Sequence, residues 1–211
     1  IYIHEGANNS ILHCNISLAH DEGIYLAYCE NNSIYESNIS LIIREGIYFS
    51  YCTNNSINKS NIISNNYRGI YFYQSSNNWI NWCNISQNGD LGIFFSSGSN
   101  NSVNWCNISD NKDHGIIFSA GLNNTVISSN ISFNQGLGID ASNCDNTVIR
   151  ENIMDSNYEA AIQFNSISNA SVLNNSFYNT TLDFLESPDV YFDEFNTLDD
   201  KIILFLENAI N

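Results

Sequence analysis

The 211 residues carry 22 Asp and Glu against 6 Lys and Arg, a formal charge of −16, which excludes a nucleic-acid binder because phosphate neutralisation needs basic side chains. Charged residues make up 13% of the chain and hydrophobic ones 43%, with 12 Tyr, 12 Phe, 11 Gly and one Pro, a balance that argues against disorder and against collagen-like or linker material. No apolar run approaches the roughly 20 residues of a membrane-spanning helix and no basic, apolar leader opens the chain, so it reads as a soluble mature product or fragment.

Repetition dominates from the first residue. Ile1-Tyr2-Ile3 aligns with a block that returns as Gly23-Ile24-Tyr25-Leu26, Gly46-Ile47-Tyr48-Phe49, Gly69-Ile70-Tyr71-Phe72 and Gly92-Ile93-Phe94-Phe95. Asn8-Asn9-Ser10-Ile11 follows and restarts at Asn31, Asn54, Asn77, Asn100 and Asn123, each 23 positions after the last. The series reads on with one residue fewer at Asp145-Asn146-Thr147-Val148 and one more at Asn169-Ala170-Ser171-Val172. Cys14-Asn15-Ile16-Ser17 is the third block, returning at Ser37, Cys83 and Cys106. Three short β-branched or aromatic segments per repeat, bounded by Asn, Ser or Gly, predict strands of about three to five residues joined by tight turns. Helical repeats would need apolar positions at helical spacing and few Asn, and a leucine-rich repeat would need its leucine frame. The remaining solution is an all-β parallel solenoid of about eight coils over residues 1–180, with equivalent residues stacked roughly 4.8 Å apart. Residues 181–211 form a separate C-terminal cap or interaction segment.

This rhythm of Asn-Asn-Ser-Ile, Cys-Asn-Ile-Ser and Gly-Ile-Tyr-Phe resembles the right-handed parallel β-helix repeat proteins, including NosD-like and other prokaryotic surface β-helices. The resemblance implies the handedness, which spacing alone does not set. It implies little about function, since the same coil carries pectinases, tail spikes, adhesins and plain surface proteins. A copper role by analogy with NosD finds no ligands: there is no CxxC, Met154 is the single Met, and His4, His13, His20 and His114 fall in different columns. No cofactor or metal is expected.

Stacking turns repeat positions into columns. Ile16, Ile39, Ile62, Ile85, Ile108, Ile131 and Ile153 form one aliphatic column, and Ile24 through Ile162 another; both are assigned to the core. The Gly column is explained by a turn that needs positive φ or a close backbone approach. Asn9 through Asn124 with Asn146, and Asn15 through Asn130 with Asn152, read as amide ladders that satisfy turn groups. The competing reading is N-glycosylation, because Asn-x-Ser/Thr occurs at Asn8, Asn15, Asn31, Asn38, Asn54, Asn58, Asn84, Asn100, Asn107, Asn123, Asn130, Asn169, Asn174 and Asn179. Glycans on adjacent coils would collide, so only partial occupancy is expected. Cys14, Cys83 and Cys106 share a column with serines, and Cys29, Cys52 and Cys144 share one with Ser and Gly, which predicts buried free thiols; Cys29/Cys52 and Cys83/Cys106 are the pairs a disulfide could bridge.

Alternation along the Gly-Ile-Tyr-Phe strands turns Tyr25, Tyr48, Tyr71 and Phe94 outward as a flat stacked row, and Trp82 and Trp105 form a second pair near Trp79. Such rows either stabilise the sheet or offer a platform to sugar rings or another protomer. Glu22 and Glu45 are the best candidate for two-carboxylate chemistry, but Asp21 over Arg44 and Glu45 over Arg68 describe a solvated charge ladder. No catalytic residue is assigned. After about Asn179 the repeat dissolves into a segment of eight acidic residues against Lys201, and Ile202-Ile203-Leu204-Phe205-Leu206 reads as a capping helix or buried strand. Laid over Ile1-Tyr2-Ile3 of a second copy, that run would build head-to-tail filaments, unless Ile1 is only a trimming site. The expectation is an extracellular structural or surface protein that self-associates. The alternative is a carbohydrate-binding or carbohydrate-active β-helix using the aromatic rows.

Overall fold

The structure, a computed structural model, describes residues 1–185, 187, 189–199 and 201–202. Among these, the regular elements are strands of two to seven residues in three parallel sheets that rise together, one strand of each per coil. The first sheet takes the Gly-Ile-Tyr-Phe blocks, from Tyr2–His4 and Ile24–Ala27 through Ile47–Ser50, Ile70–Tyr73, Ile93–Ser96, Ile116–Leu122, Ile139–Asp145 and Ile162–Asn165 to Leu182–Leu185. The second runs from Ser10–Leu12 to Val190–Phe192, and the third from Asn15–Ser17 to Thr197–Leu198, where Lys201–Ile202 folds back antiparallel. Parallel pairing thus continues past residue 180. Ile203, Leu204, Phe205 and Leu206, the expected assembly segment, lie outside the described residues.

The 23-residue register is stricter than the sequence suggested. Asp145 pairs with Leu122 and Val148 with Thr125, so no residue is dropped at the seventh coil. Asn146 therefore extends the exposed column of Asn123, to whose Oδ1 its amide donates at 3.0 Å, and Thr147 replaces Asn124, its hydroxyl donating to Cys144 O at 2.9 Å. The same shift corrects the aliphatic column: Met154 pairs with Ile131 and is buried, whereas Ile153 pairs with Asn130 and is half exposed. Asn152 turns inward behind Ser129 rather than joining the outer ladder. Only the last turn is shorter, Leu182 pairing with Ile162 at 20 residues' separation.

Inside the coils, Ile24, Ile47, Ile70, Ile93, Ile116, Ile139 and Ile162 are all fully buried, and so are Ile39 through Ile131 on the third sheet. Each contributes about 1.5–3 kcal/mol of burial, the main offset to chain entropy. Phe49, Phe72, Phe95 and Phe118 stack within the same interior at 4.7–4.9 Å. Asn32, Asn55, Asn78, Asn101 and Asn124 are buried at a corner, the amide of each of the first four donating to the Oδ1 of the next at 3.0–3.3 Å. A second buried ladder, Asn65, Asn88, Asn111, Asn134 and Asn157, does the same at 2.9–3.0 Å. These ladders also accept backbone N–H groups of the coil before, closing corner donors that the sheets leave over.

Glycine does not make the corners. Four non-glycine residues per coil take the left-handed conformation, for example Tyr51, Asn54, Lys59 and Ser64 at φ of 54°, 56°, 48° and 57°, and no glycine has positive φ. The strain of roughly 1 kcal/mol or more per residue is tolerated because each corner N–H still reaches the next coil, as Tyr51 N does to Tyr73 O at 3.0 Å. The Gly column answers instead to close approach: a Cβ on Gly69 would lie 2.7 Å from Gly92 O.

Candidate functional site

Strand alternation places Ile47 and Phe49 in the core and leaves Tyr48 half-buried on the outer face of the first sheet. Tyr25–Tyr48 and Tyr48–Tyr71 ring centroids are 4.8 Å apart with interplanar angles of 5° and 7°, and Tyr71–Phe94 follow at 5.2 Å and 9°. Near-parallel rings at this spacing spend their faces on one another. The row therefore presents edges and tyrosine hydroxyls rather than the flat platform expected. Burial raises the Tyr48 and Tyr71 pKa values, against the lowering effect of the Ser50 and Ser96 hydroxyls respectively, so both tyrosines are neutral donors at physiological pH.

A charged wall flanks the row. It stands on the turn that leads from the third sheet into the first, where Asp21, Arg44, Tyr67, Asp90 and Asp113 occupy one column and Glu22, Glu45 and Arg68 the next. Arg44 Nη1 lies 3.3 Å from Glu22 Oε1 and 3.6 Å from Asp21 Oδ1, and its Nε is 4.0 Å from Glu45 Oε2. Arg68 pairs with Glu45 at 3.7 Å and Asp90 at 3.3 Å while its guanidinium covers Tyr67, Tyr71 and Phe94 at 4.5, 4.6 and 5.0 Å. Glu22 and then Glu45 raise the Arg44 pKa. The expected solvated ladder is corrected here, because Glu45 is 4% exposed and its Oε2 has no hydrogen-bond partner. Glu22 and Glu45 are thus both engaged by arginine, which does not leave them as a free carboxylate pair. Where row and wall meet, a groove of about 570 Å³ is lined by Ile1, Tyr2, Asp21, Glu22, Tyr25, Arg44 and Tyr48.

Further along the same face, Ile117, Asp140 and Gln163 continue the ring column. Asp140 was not singled out by sequence reasoning, although the acid in Gly138-Ile139-Asp140-Ala141, where other coils carry Tyr or Phe, is the visible signal. Burial raises its pKa, aided by Glu159 and opposed by the 3.0 Å hydrogen bond from Ser142 and by His114. His114 Nδ1 accepts the Leu137 N–H at 2.8 Å, which puts the ring proton on Nε2. Asp113 Oδ1, 3.1 Å from the same nitrogen, is then a second acceptor rather than a partner.

The other candidates are dispersed. Trp82 and Trp105 stack at 4.8 Å and 7° on a left-handed corner between the second and third sheets, away from the tyrosine row. Trp79 is exposed on the outer face of the second sheet. Of the sequon asparagines, Asn58, Asn84 and Asn107 are half-buried and the rest exposed. Asn15, Asn38, Asn107 and Asn130 take part in an outer ladder whose amides bond at 2.7–2.9 Å. All six cysteines are free thiols, five of them buried. Burial pushes the Cys52 and Cys144 thiols up to about 11. Among the described residues, no group of three or more His, Cys, Asp or Glu could hold a metal ion, and no helix is long and apolar enough to cross a membrane.

A family model described as the right-handed β-helix region matches residues 1–80 and 36–182. The chain belongs to the right-handed β-helix family. No curated protein matches it. Solved β-helices are similar in fold at low identity. The Azotobacter vinelandii mannuronan C-5 epimerase AlgE6 A-module is 13% identical with a TM-score of 0.81, over 91% of this chain and 58% of that one. The periplasmic alginate epimerase AlgG is 15% identical with a TM-score of 0.72, over 87% and 50%. An alginate lyase from Paenibacillus is 16% identical with a TM-score of 0.66, over 89% and 77%. This β-helix thus spans about half the length of the epimerases it matches.

Proposed function

We propose that this β-helix is a carbohydrate-contacting protein working outside the cytoplasm, with the outer face of its first sheet as the contact surface. The observation that carries the reading is the row of Tyr25, Tyr48 and Tyr71, whose hydroxyls repeat with the rungs beside a groove and a charged wall. Neutral phenols donate and accept hydrogen bonds with sugar hydroxyls, and the ring edges pack against the apolar faces of a pyranose. Solved structures of similar fold include two epimerases, a pectate lyase and an alginate lyase, which supports glycan contact over a purely structural surface role. Asp140 on this face and His114 on the turn beside it would be the groups to examine for proton transfer.

Glycan-array binding tests the reading. The native chain should bind at least one oligosaccharide class, Tyr48→Ala should weaken binding about tenfold or more, equivalent to about 1.4 kcal/mol, and Tyr48→Phe, which keeps the stack, should fall between. Binding unaffected by both substitutions would remove the tyrosine row from the site.

A further inference from the structure

We infer that the glycan this face takes is a neutral polysaccharide and not a polyuronate; the inference rests on the contact surface proposed above and names its substrate class. A polyuronate places one carboxylate on each sugar, so a site for it needs cations that are free to pair. Along this wall they are not free. Arg44 is engaged by Asp21 and Glu22, and Arg68 by Glu45 and Asp90. Arg68 is also laid flat over Tyr71 and Phe94, so its guanidinium face is used as well. The columns of this wall hold six carboxylates, Asp21, Glu22, Glu45, Asp90, Asp113 and Glu159, against two arginines and the neighbouring Lys112, and the sheet face adds Asp140 and Asp183. A second anionic chain lying here would meet like charge at nearly every rung, in a molecule already at −16.

What the face does offer is uncharged. Next to the ring column, Tyr73, Ser96, Ser119, Ser142 and Asn165 stack in register beyond the buried Ser50, a second row of hydroxyl and amide groups. Beside it, Tyr25, Tyr48 and Tyr71 put three phenol hydroxyls on successive coils, and the two sets together match a ligand that carries hydroxyls and no charge on each residue.

Titration calorimetry with matched hexasaccharides decides the point, using neutral β-1,4-linked glucan, mannan and xylan against mannuronan and polygalacturonate. A neutral hexamer should bind with an affinity that changes less than about twofold between roughly 20 and 500 mM NaCl, since little charge is involved. Uronate hexamers should bind at least about tenfold more weakly, least at low salt. Glu159→Lys, an exposed change outside the tyrosine row, should strengthen uronate binding and leave the neutral ligand unaffected. Tighter binding of a uronate hexamer than of its neutral counterpart, falling as salt rises, overturns the inference and leaves the glycan reading standing. No binding by any of the five overturns both.

Discussion

Asp140 shows how one residue records its surroundings. Its folded pKa is raised, so the native chain keeps a proton over a range in which the unfolded chain has lost it. Stability must then fall as pH rises from the ordinary aspartate value, about 4, through the raised one. Asp140→Asn should melt higher than the native protein at pH 7, and the gap should close towards pH 4; a gap that is constant with pH would contradict the burial argument. Asp145, held low by bonds from Ser168, contributes with the opposite sign in both proteins and cancels in the comparison. The cysteines give a second residue-scale test. With Cys52 and Cys144 pushed up to about 11 and buried, and Cys106 raised by burial as well, a thiol reagent at pH 8 should label half-buried Cys14 first and the others only after denaturation. Rapid labelling of all six in the native state would contradict the packing.

At the scale of the coil, the sequence displayed its columns because stacking makes each position answer to the same neighbours. Ile47, Ile70 and Ile93 could be read as core, and Tyr48 and Tyr71 as outward, from alternation alone. Two things could not be read. By identity the Asn-Asn pair at residue 123 matches Asp145-Asn146, yet the coil keeps its length and lets Thr147 replace an amide, which moves Asn152 and Ile153 by one position each. Left-handed corners at Tyr51, Lys59 and Trp82 carry no residue signature, because continued hydrogen bonding between coils supports a conformation otherwise left to glycine or Asn. Gly69 and Gln74 separate these explanations. Gly69→Ala puts a methyl 2.7 Å from Gly92 O and should lower stability by about 1–3 kcal/mol, whereas Gln74→Gly, at φ 46°, should cost little or stabilise. Urea midpoints that moved the other way would return the Gly column to a conformational origin.

For the whole molecule, a solenoid leaves one outer face per sheet, and the sequence could not rank them. Trp82 and Trp105 looked as suggestive as the tyrosines until the structure placed them on an isolated corner. The wall reads as solvated in the sequence because a lone chain of charges cannot reveal that Arg68 lies over rings or that Glu45 is buried. A crystal structure of the chain with its tightest-binding hexasaccharide measures the claim directly. Sugar hydroxyls should lie within about 3 Å of the Tyr48 and Tyr71 oxygens along the first sheet. A glycan seated on the Trp82–Trp105 corner, with the tyrosine row bare, would contradict it.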